Sequence, residues 1–179
     1  MAIYKLASRK LAEFKAVDWQ QSLREAIRTP AELLSILELD AAAVDGFEPT
    51  AKEFPLLVPR SFVARMRKGD PRDPLLLQVL PKQREQSKVA GFTRDPLQET
   101  CLAQHGVLKK YSGRALIVTT GACPIHCRYC FRRHFPYSDQ IASRDHWGGV
   151  LKMLRDAKDV TEVILSGGDP LSLVDRRLT

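Results

Sequence analysis

Three cysteines lie close together in the chain and could bind one inorganic cluster. Cys123, Cys127 and Cys130 follow the spacing C-x3-C-x2-C. Thiolates are soft ligands that suit iron–sulfur clusters, and three of them can each bind one corner of a cubane. Three protein ligands leave the fourth iron open for a substrate or a cofactor. The alternative is a zinc site completed by His126 or His134, although structural zinc usually takes four protein ligands in two separated pairs.

The cysteines follow a segment that has the pattern of a buried strand. Residues 114–120 form a short, nearly continuous apolar run rich in β-branched side chains, which is typical of a strand in a parallel sheet. We predict a helix over residues 143–158, with one apolar stripe made of Trp147, Val150, Leu151 and Leu154. A second buried strand is predicted over 162–166. Strand, helix and strand at this spacing form a βαβ unit, which indicates an α/β fold.

The first 110 residues have the pattern of short helices broken by prolines. Thr29-Pro30-Ala31-Glu32 is a capping box with proline at the first helical position, and Asp73-Pro74 repeats the cap-then-proline signal. Trp19, Leu23 and Ile27 stand at helical spacing before the first cap. Residues 81–106 are polar without a clear period. We therefore predict a helical N-terminal region over 1–110 and the start of a (β/α) barrel over 111–179.

The predicted barrel is incomplete within this sequence. The chain has 179 residues and reaches Thr179 soon after the second strand. Two parallel strands cannot cover their own faces, and a closed barrel needs roughly 200 residues or more. We expect the chain to be an N-terminal fragment of a longer protein.

Composition and charge favour a cytoplasmic protein. Hydrophobic residues make up 44% and charged residues 27%, as in ordinary globular proteins, and no run is long enough to cross a bilayer. The basic N-terminus lacks the apolar stretch of a secretory signal. Clustered cysteines without such a signal indicate metal ligation rather than disulfides, and Cys101 stands apart as a free thiol. The net charge of +7 is compatible with a solvated basic surface.

The sequence CPIHCRYC over 123–130 resembles the signature of the radical S-adenosylmethionine (SAM) superfamily, with Tyr129 in its aromatic position. In that superfamily the amine and carboxylate of SAM chelate the fourth iron of a 4Fe-4S cluster. The reduced cluster then cleaves SAM to methionine and a 5′-deoxyadenosyl radical. The resemblance implies a partial (β/α) barrel.

A second motif follows the second predicted strand. Ser166, Gly167, Gly168 and Asp169 on their own are only a turn signal. At this position they resemble the superfamily motif that contacts the SAM amino group. Glycines let the backbone approach closely, and the Asp169 carboxylate suits an ammonium.

Several segments resemble one branch, the lysine 2,3-aminomutase family. They are residues 95–97, 107–116, 127–135 and 166–171. Residues 58–62, 70–80 and 132–137 are most similar to the subgroup that makes (R)-β-lysine for elongation factor P. The resemblance implies an isomerase that converts L-lysine to (R)-β-lysine with a 4Fe-4S cluster, SAM and pyridoxal 5′-phosphate (PLP).

The same resemblance implies roles for basic residues. Arg132 matches the arginine that pairs with the substrate carboxylate, which a guanidinium fork can hold through two contacts. Lys110 and Arg114 match basic positions near the PLP phosphate; a solvated or structural cation is the alternative for all three. In the family the PLP lysine lies in the C-terminal part, so we expect it beyond Thr179, and we expect the chain alone to be inactive.

The expected partners follow from this assignment. They are L-lysine, an electron donor such as flavodoxin or ferredoxin, and the downstream elongation factor P pathway; we expect no membrane, no direct nucleic-acid contact and a possible homo-oligomer. Three other functions stay open. They are an aminomutase for free lysine or glutamate metabolism, a radical SAM enzyme without PLP, and a non-enzymatic zinc or nucleic-acid-binding module.

Overall fold

The computed structural model describes residues 18–50, 53–104, 106–141 and 147–178, without the side chains of 101–104. Within these residues, five short α-helices precede the sheet, and their bounds are α1 Trp19–Arg24, α2 Pro30–Ile36, α3 Arg60–Val63, α4 Pro74–Leu77 and α5 Glu99–Leu102. Two 3-10 helices accompany them, Ala41–Ala43 and Gln83–Gln86. None of the helices in the described residues has the length and apolar composition needed to span a bilayer.

Local capping explains where these helices begin. The Thr29 hydroxyl accepts from the Glu32 amide at 3.3 Å at the start of α2. The Asp73 carboxylate accepts from the amides of Leu75 and Leu76 at 2.9 and 3.1 Å at the start of α4. Both caps satisfy amides that have no partner within the helix, and both precede a proline at the first helical position. The two helices predicted from cap-then-proline signals are confirmed.

The first helix is shorter than the spacing of its apolar residues predicts. It ends at Arg24, and Ile27 instead forms an antiparallel bridge with Val58, with N–O distances of 2.8 and 3.0 Å. The backbone at Thr29 is extended to serve as a cap, so the chain must leave the helix before it. The segment 81–106, in which the sequence showed no period, contains Gln83–Gln86, α5 and a first strand.

The sheet has four strands in the order of the chain. They are β1 Ala103–Gln104, β2 Val107–Leu108, β3 Arg114–Thr120 and β4 Glu162–Gly167. The first three are antiparallel, whereas β3 and β4 are parallel. Helices α6, Tyr137–Gln140, and α7, Trp147–Asp156, lie between β3 and β4 in sequence. The predicted βαβ unit and mixed α/β class are confirmed, and two short strands precede position 111.

The burial of β4 differs from the prediction. Strand β3 is buried over most of its length, but Val163, Ile164 and Leu165 of β4 are 45, 39 and 44% exposed. The apolar cluster beneath α7 is built from Val107, Ala115, Ile117 and Val150, so α7 covers β2 and β3 rather than β4. Strand β4 is therefore an apolar edge within the described part of the sheet.

The predicted stripe of α7 is correct at three of its four positions. Val150 is buried, and Trp147 and Leu154 pack against the same cluster. Leu151 is exposed, and Met153 packs in its place. Residues 143–146 of the predicted helix lie outside the described residues.

The helical region has its own core. It is formed by the buried side chains of Ile27, Leu33, Leu34, Leu37, Val44, Leu56, Val58, Val63, Met66, Leu76, Val79 and Leu80. Ile125, from the loop after β3, packs against this core. The cysteine-bearing loop is therefore held between the helical region and the sheet.

Candidate functional site

The loop after β3 carries the three motif cysteines as partly buried free thiols. Burial raises the pKa of the Cys123 thiol, and the nearby charges of Cys130 and Asp169 act in the same direction. Cys130 lines a cavity of about 930 Å³ between the loop and segments 48–54 and 81–96. In the described residues, no group of three or more His, Cys, Asp and Glu side chains could hold a metal ion.

The second motif lies directly against the cysteine loop. Parallel pairing of β3 and β4 brings their carboxyl ends together, so the loops that follow them meet. The Gly168 amide donates to the Thr120 carbonyl at 2.6 Å, and the Asp169 amide donates to the Ala122 carbonyl at 2.8 Å. The Ser172 hydroxyl also donates to the Ala122 carbonyl, at 3.1 Å. The two predicted motifs therefore form one surface at the end of the sheet.

Glycine is required at Gly167 and Gly168 by close backbone contacts. Gly167 has a φ of +115°, and a Cβ at this position would collide with the Thr120 carbonyl oxygen. A Cβ at Gly168 would lie 2.7 Å from the carbonyl carbon of Ala122 and would collide with its oxygen. The glycines are thus explained by the approach of the second motif to the cysteine loop.

Arg132 is buried and is already paired with a carboxylate. Its Nε and Nη2 donate to Glu99 at 2.6 and 2.8 Å, and its Nη1 donates to the Ser166 hydroxyl at 2.8 Å. Burial works against the charge of Arg132, but the hydrogen bonds and charge of Glu99 outweigh it and raise the pKa of Arg132. Three of the five guanidinium N–H groups are used in these bonds, which leaves one donor on Nη1 and one on Nη2.

Two tyrosines lie in or against the cysteine loop. Tyr129 is largely exposed, and its hydroxyl donates to the Gln78 side-chain oxygen at 3.4 Å. A hydrogen bond with Cys127, together with the thiolate charge there, raises the pKa of Tyr129. Tyr137 packs against Gly121, and burial raises its pKa to about 12. Both hydroxyls are therefore protonated donors at neutral pH.

The characterised proteins that this chain matches include three that are each named L-lysine 2,3-aminomutase. The protein of Escherichia coli is 44% identical over 162 residues, which cover 90% of this chain and 47% of that protein. The Buchnera aphidicola protein is 40% identical over 176 residues, 97% of this chain and 52% of its own length. The Haemophilus influenzae protein is 39% identical over 162 residues.

The chain is homologous to the lysine 2,3-aminomutases. The resemblance drawn from the sequence motifs is confirmed. The chain spans about half the length of the curated aminomutases that it matches. No protein-family model matches it.

The structure does not bring all of the predicted aminomutase site residues together. Arg114 begins β3, six residues of strand or roughly 20 Å from the cysteine end. It pairs with Glu162 at 2.5 Å, and Lys110 donates to the Leu97 carbonyl at 3.3 Å. Their role at the PLP phosphate stays a prediction, as does the SAM contact of Asp169, whose carboxylate accepts from the Leu171 amide at 3.0 Å.

No local pattern in the sequence pointed to two acidic residues beside the cysteine loop. Glu99 pairs with Arg132, and Glu85 pairs with Arg128 and Arg133. Each acid is more than 30 positions from its arginine in the sequence. The arginines of the cysteine loop indicated only that carboxylate partners would be needed if these side chains were buried, and not which residues would supply them.

Proposed function

We propose that the chain is part of a radical SAM, PLP-dependent aminomutase that converts L-lysine to (R)-β-lysine for the modification of elongation factor P. The observation that carries the proposal is the contact between the cysteine loop and the Ser166–Asp169 turn, in a chain 40–44% identical to lysine 2,3-aminomutases. The assignment to the (R)-β-lysine subgroup is supported by the motif similarity of residues 58–62, 70–80 and 132–137.

The donor set of the loop fits a 4Fe-4S cluster. Cys123, Cys127 and Cys130 are free thiols on one loop, and the charge of Cys130 is near enough to contribute to the raised pKa of Cys123. The thiolates of a cubane bind separate irons, so they need not converge on one point as the ligands of a single ion must. When bound, the cluster, SAM and PLP would supply the radical chemistry and the electron sink.

The chain's own residues would bind and orient the reactants. The Ser166–Asp169 turn lies beside Cys123 and would receive the amino group of SAM. Arg132 would hold the substrate carboxylate through the two donors that Glu99 and Ser166 leave free. Glu99 fixes the direction of these two donors, because a guanidinium group held along one side cannot turn.

The most direct functional test is product formation. Anaerobically reconstituted protein is incubated with L-lysine, SAM, PLP and dithionite, and β-lysine is measured by mass spectrometry after chiral derivatisation. The assay is run on the 179-residue chain and on the product of the complete reading frame. The proposal predicts (R)-β-lysine from the complete product. Full cluster loading of the complete product without any β-lysine would refute it.

Arg132→Lys provides the matched variant for substrate binding. A lysine keeps the positive charge but cannot hold one carboxylate with a guanidinium fork. We expect KM for lysine to rise at least about tenfold, which corresponds to the loss of one good charge-assisted hydrogen bond. An unchanged KM would contradict the role of Arg132. Loss of β-lysine from elongation factor P in a strain without the gene would support the proposed pathway.

A further inference from the structure

A mostly buried carboxylate joins the helical region to the cysteine loop. Glu85 lies on the 3-10 helix Gln83–Gln86. Its carboxylate accepts from Arg128 Nε at 3.0 and 3.2 Å, from Arg128 Nη2, and from Arg133 Nη1 at 2.9 Å. The Lys82 amide adds a fourth donor at 2.9 Å. All three charged side chains of this group are largely shielded from solvent.

Phe54 completes the contact on the same side of the loop. The guanidinium carbons of Arg128 and Arg133 lie 5.2 and 5.0 Å from the centre of its ring, and the His126 ring stacks on it at 4.9 Å. Its carbonyl accepts from Arg128 Nη1 at 2.8 Å. Cations over an aromatic face gain most when they are shielded from water.

These contacts fix the backbone between the thiols. Arg128 follows Cys127 directly, and its own amide donates to the Gln78 carbonyl at 2.7 Å. The His126 amide donates to the Leu57 carbonyl at 2.9 Å. The two residues that flank Cys127 are thus hydrogen-bonded to different segments of the helical region. Cys123, in contrast, is next to Ala122, which is held by the Asp169 amide at the end of the sheet.

We propose that Glu85 is a positioning residue for the cysteine loop. Its carboxylate gathers Arg128 and Arg133 over Phe54 and so holds Cys127 and Cys130 at the separation from Cys123 that a cubane cluster requires. The inference rests on the proposed cluster site and adds to it the means by which the helical region shapes that site. Glu85 acts on the loop through its bonds to these two arginines.

The first test measures thiol reactivity in the cluster-free chain. Glu85→Ala and Glu85→Gln are compared with Glu38→Ala, which removes an exposed ion pair with Lys68 instead. Each protein is pulsed with iodoacetamide, and labelling of every cysteine is followed by peptide mass spectrometry. Removing one partner of a shielded charge group is costly, so the loop around Cys127 and Cys130 should open more often in Glu85→Ala. We therefore expect these two thiols to be labelled about tenfold faster or more.

The selectivity of labelling separates positioning from global unfolding. Positioning predicts that Cys123 keeps the wild-type rate in Glu85→Ala and that Glu85→Gln, which retains one acceptor oxygen, lies between wild type and Glu85→Ala. Equal acceleration at all cysteines would overturn the inference, since it would indicate general loss of the fold. Unchanged rates at Cys127 and Cys130 would also overturn it.

The second test follows cluster assembly. Each chain is reconstituted anaerobically with iron and sulfide, and the reduced cluster is examined by electron paramagnetic resonance with and without SAM. We expect at least a twofold lower iron content and an altered spectrum in Glu85→Ala, with Glu38→Ala like wild type. Normal iron and an unchanged spectrum in Glu85→Ala would refute this inference alone, whereas absence of iron from wild type would refute the proposed function.

Discussion

Replacing Glu99 by alanine is expected to destabilise the fold strongly. The side chains of Arg132 and Glu99 are only 8 and 10% exposed, and the two are joined at 2.6 and 2.8 Å. In the variant the guanidinium stays buried, with Ser166 as the side-chain hydrogen-bond partner described for it and the Phe131 ring 4.9 Å away. Removing one partner of a buried ion pair typically costs about 3–5 kcal/mol, because the other charge is left uncompensated. We expect a loss of this size in the free energy of unfolding.

Urea unfolding of a double-mutant cycle measures the pairing directly. The cycle contains Glu99→Leu, Arg132→Met and the double variant. Each single change leaves one charge buried, but the double change replaces the pair with apolar groups of similar volume, which is often close to neutral. We therefore expect the double variant to lie within about 2 kcal/mol of wild type and to be more stable than Glu99→Leu alone.

Two results would show that Glu99 and Arg132 do not form a buried ion pair. If Glu99→Ala costs less than about 1 kcal/mol, the pair behaves as an exposed one and is not a buried counter-ion. If the two single effects simply add in the double variant, Glu99 and Arg132 do not interact energetically. Either result would also contradict the proposal that Glu99 orients the remaining N–H donors of Arg132.

Three other changes have defined outcomes. Gly168→Ala should lower the free energy of unfolding by about 2 kcal/mol or more in urea and reduce iron loading, because its Cβ would collide with the Ala122 carbonyl. Burial raises the pKa of Asp73, but amide hydrogen bonds outweigh it and hold that pKa below its usual range. The stabilisation by the ionised Asp73 carboxylate is fully present above the pKa of the unfolded state and is lost as the pH falls through the pKa of the folded state. In urea unfolding, Asp73→Asn should therefore lower the free energy of unfolding more at pH 7 than at pH 3. Ile164→Lys should reduce self-association in sedimentation velocity, because a charge blocks an apolar edge strand.

Each of these has a contrary result. A Gly168→Ala chain with normal stability would mean that the two loops do not approach as closely as described. An equal loss in Asp73→Asn at both pH values would show that the carboxylate charge is not the source of the stabilisation. Equal self-association of Ile164→Lys and wild type would show that β4 is not the contact surface.

Local signals in the sequence predicted the elements whose causes are local. The caps at Thr29 and Asp73 located α2 and α4, because a side chain two or three residues away satisfies the helix amides. The apolar run at 114–120 located β3. The cysteine loop and residues 166–169 were predicted to lie together because both motifs follow parallel strands, and the structure brings them into contact. Their roles in binding a cluster and SAM stay predictions.

Features that depend on distant packing were not predictable in this way. The exposure of β4 depends on where α7 rests, and an apolar run reads the same whether or not a neighbour covers it. Leu151 and Met153 lie at opposite edges of the apolar face of α7, and the contact with the sheet decides which of them is buried. The pairing of Glu99 with Arg132 and of Glu85 with Arg128 joins segments that no periodicity relates.

The central claim is that three thiols of one loop bind a cluster with an open iron. Iron and sulfide are therefore measured per chain in anaerobically reconstituted wild type, in Cys123→Ala, Cys127→Ala and Cys130→Ala, and in Cys101→Ala as the matched control. The proposed site requires about four irons and four sulfides per chain in wild type and in the control, and loss of the intact cluster in each motif variant. Colourless wild-type protein that holds zinc, or a motif variant that keeps its full cluster, would contradict the proposed cluster site.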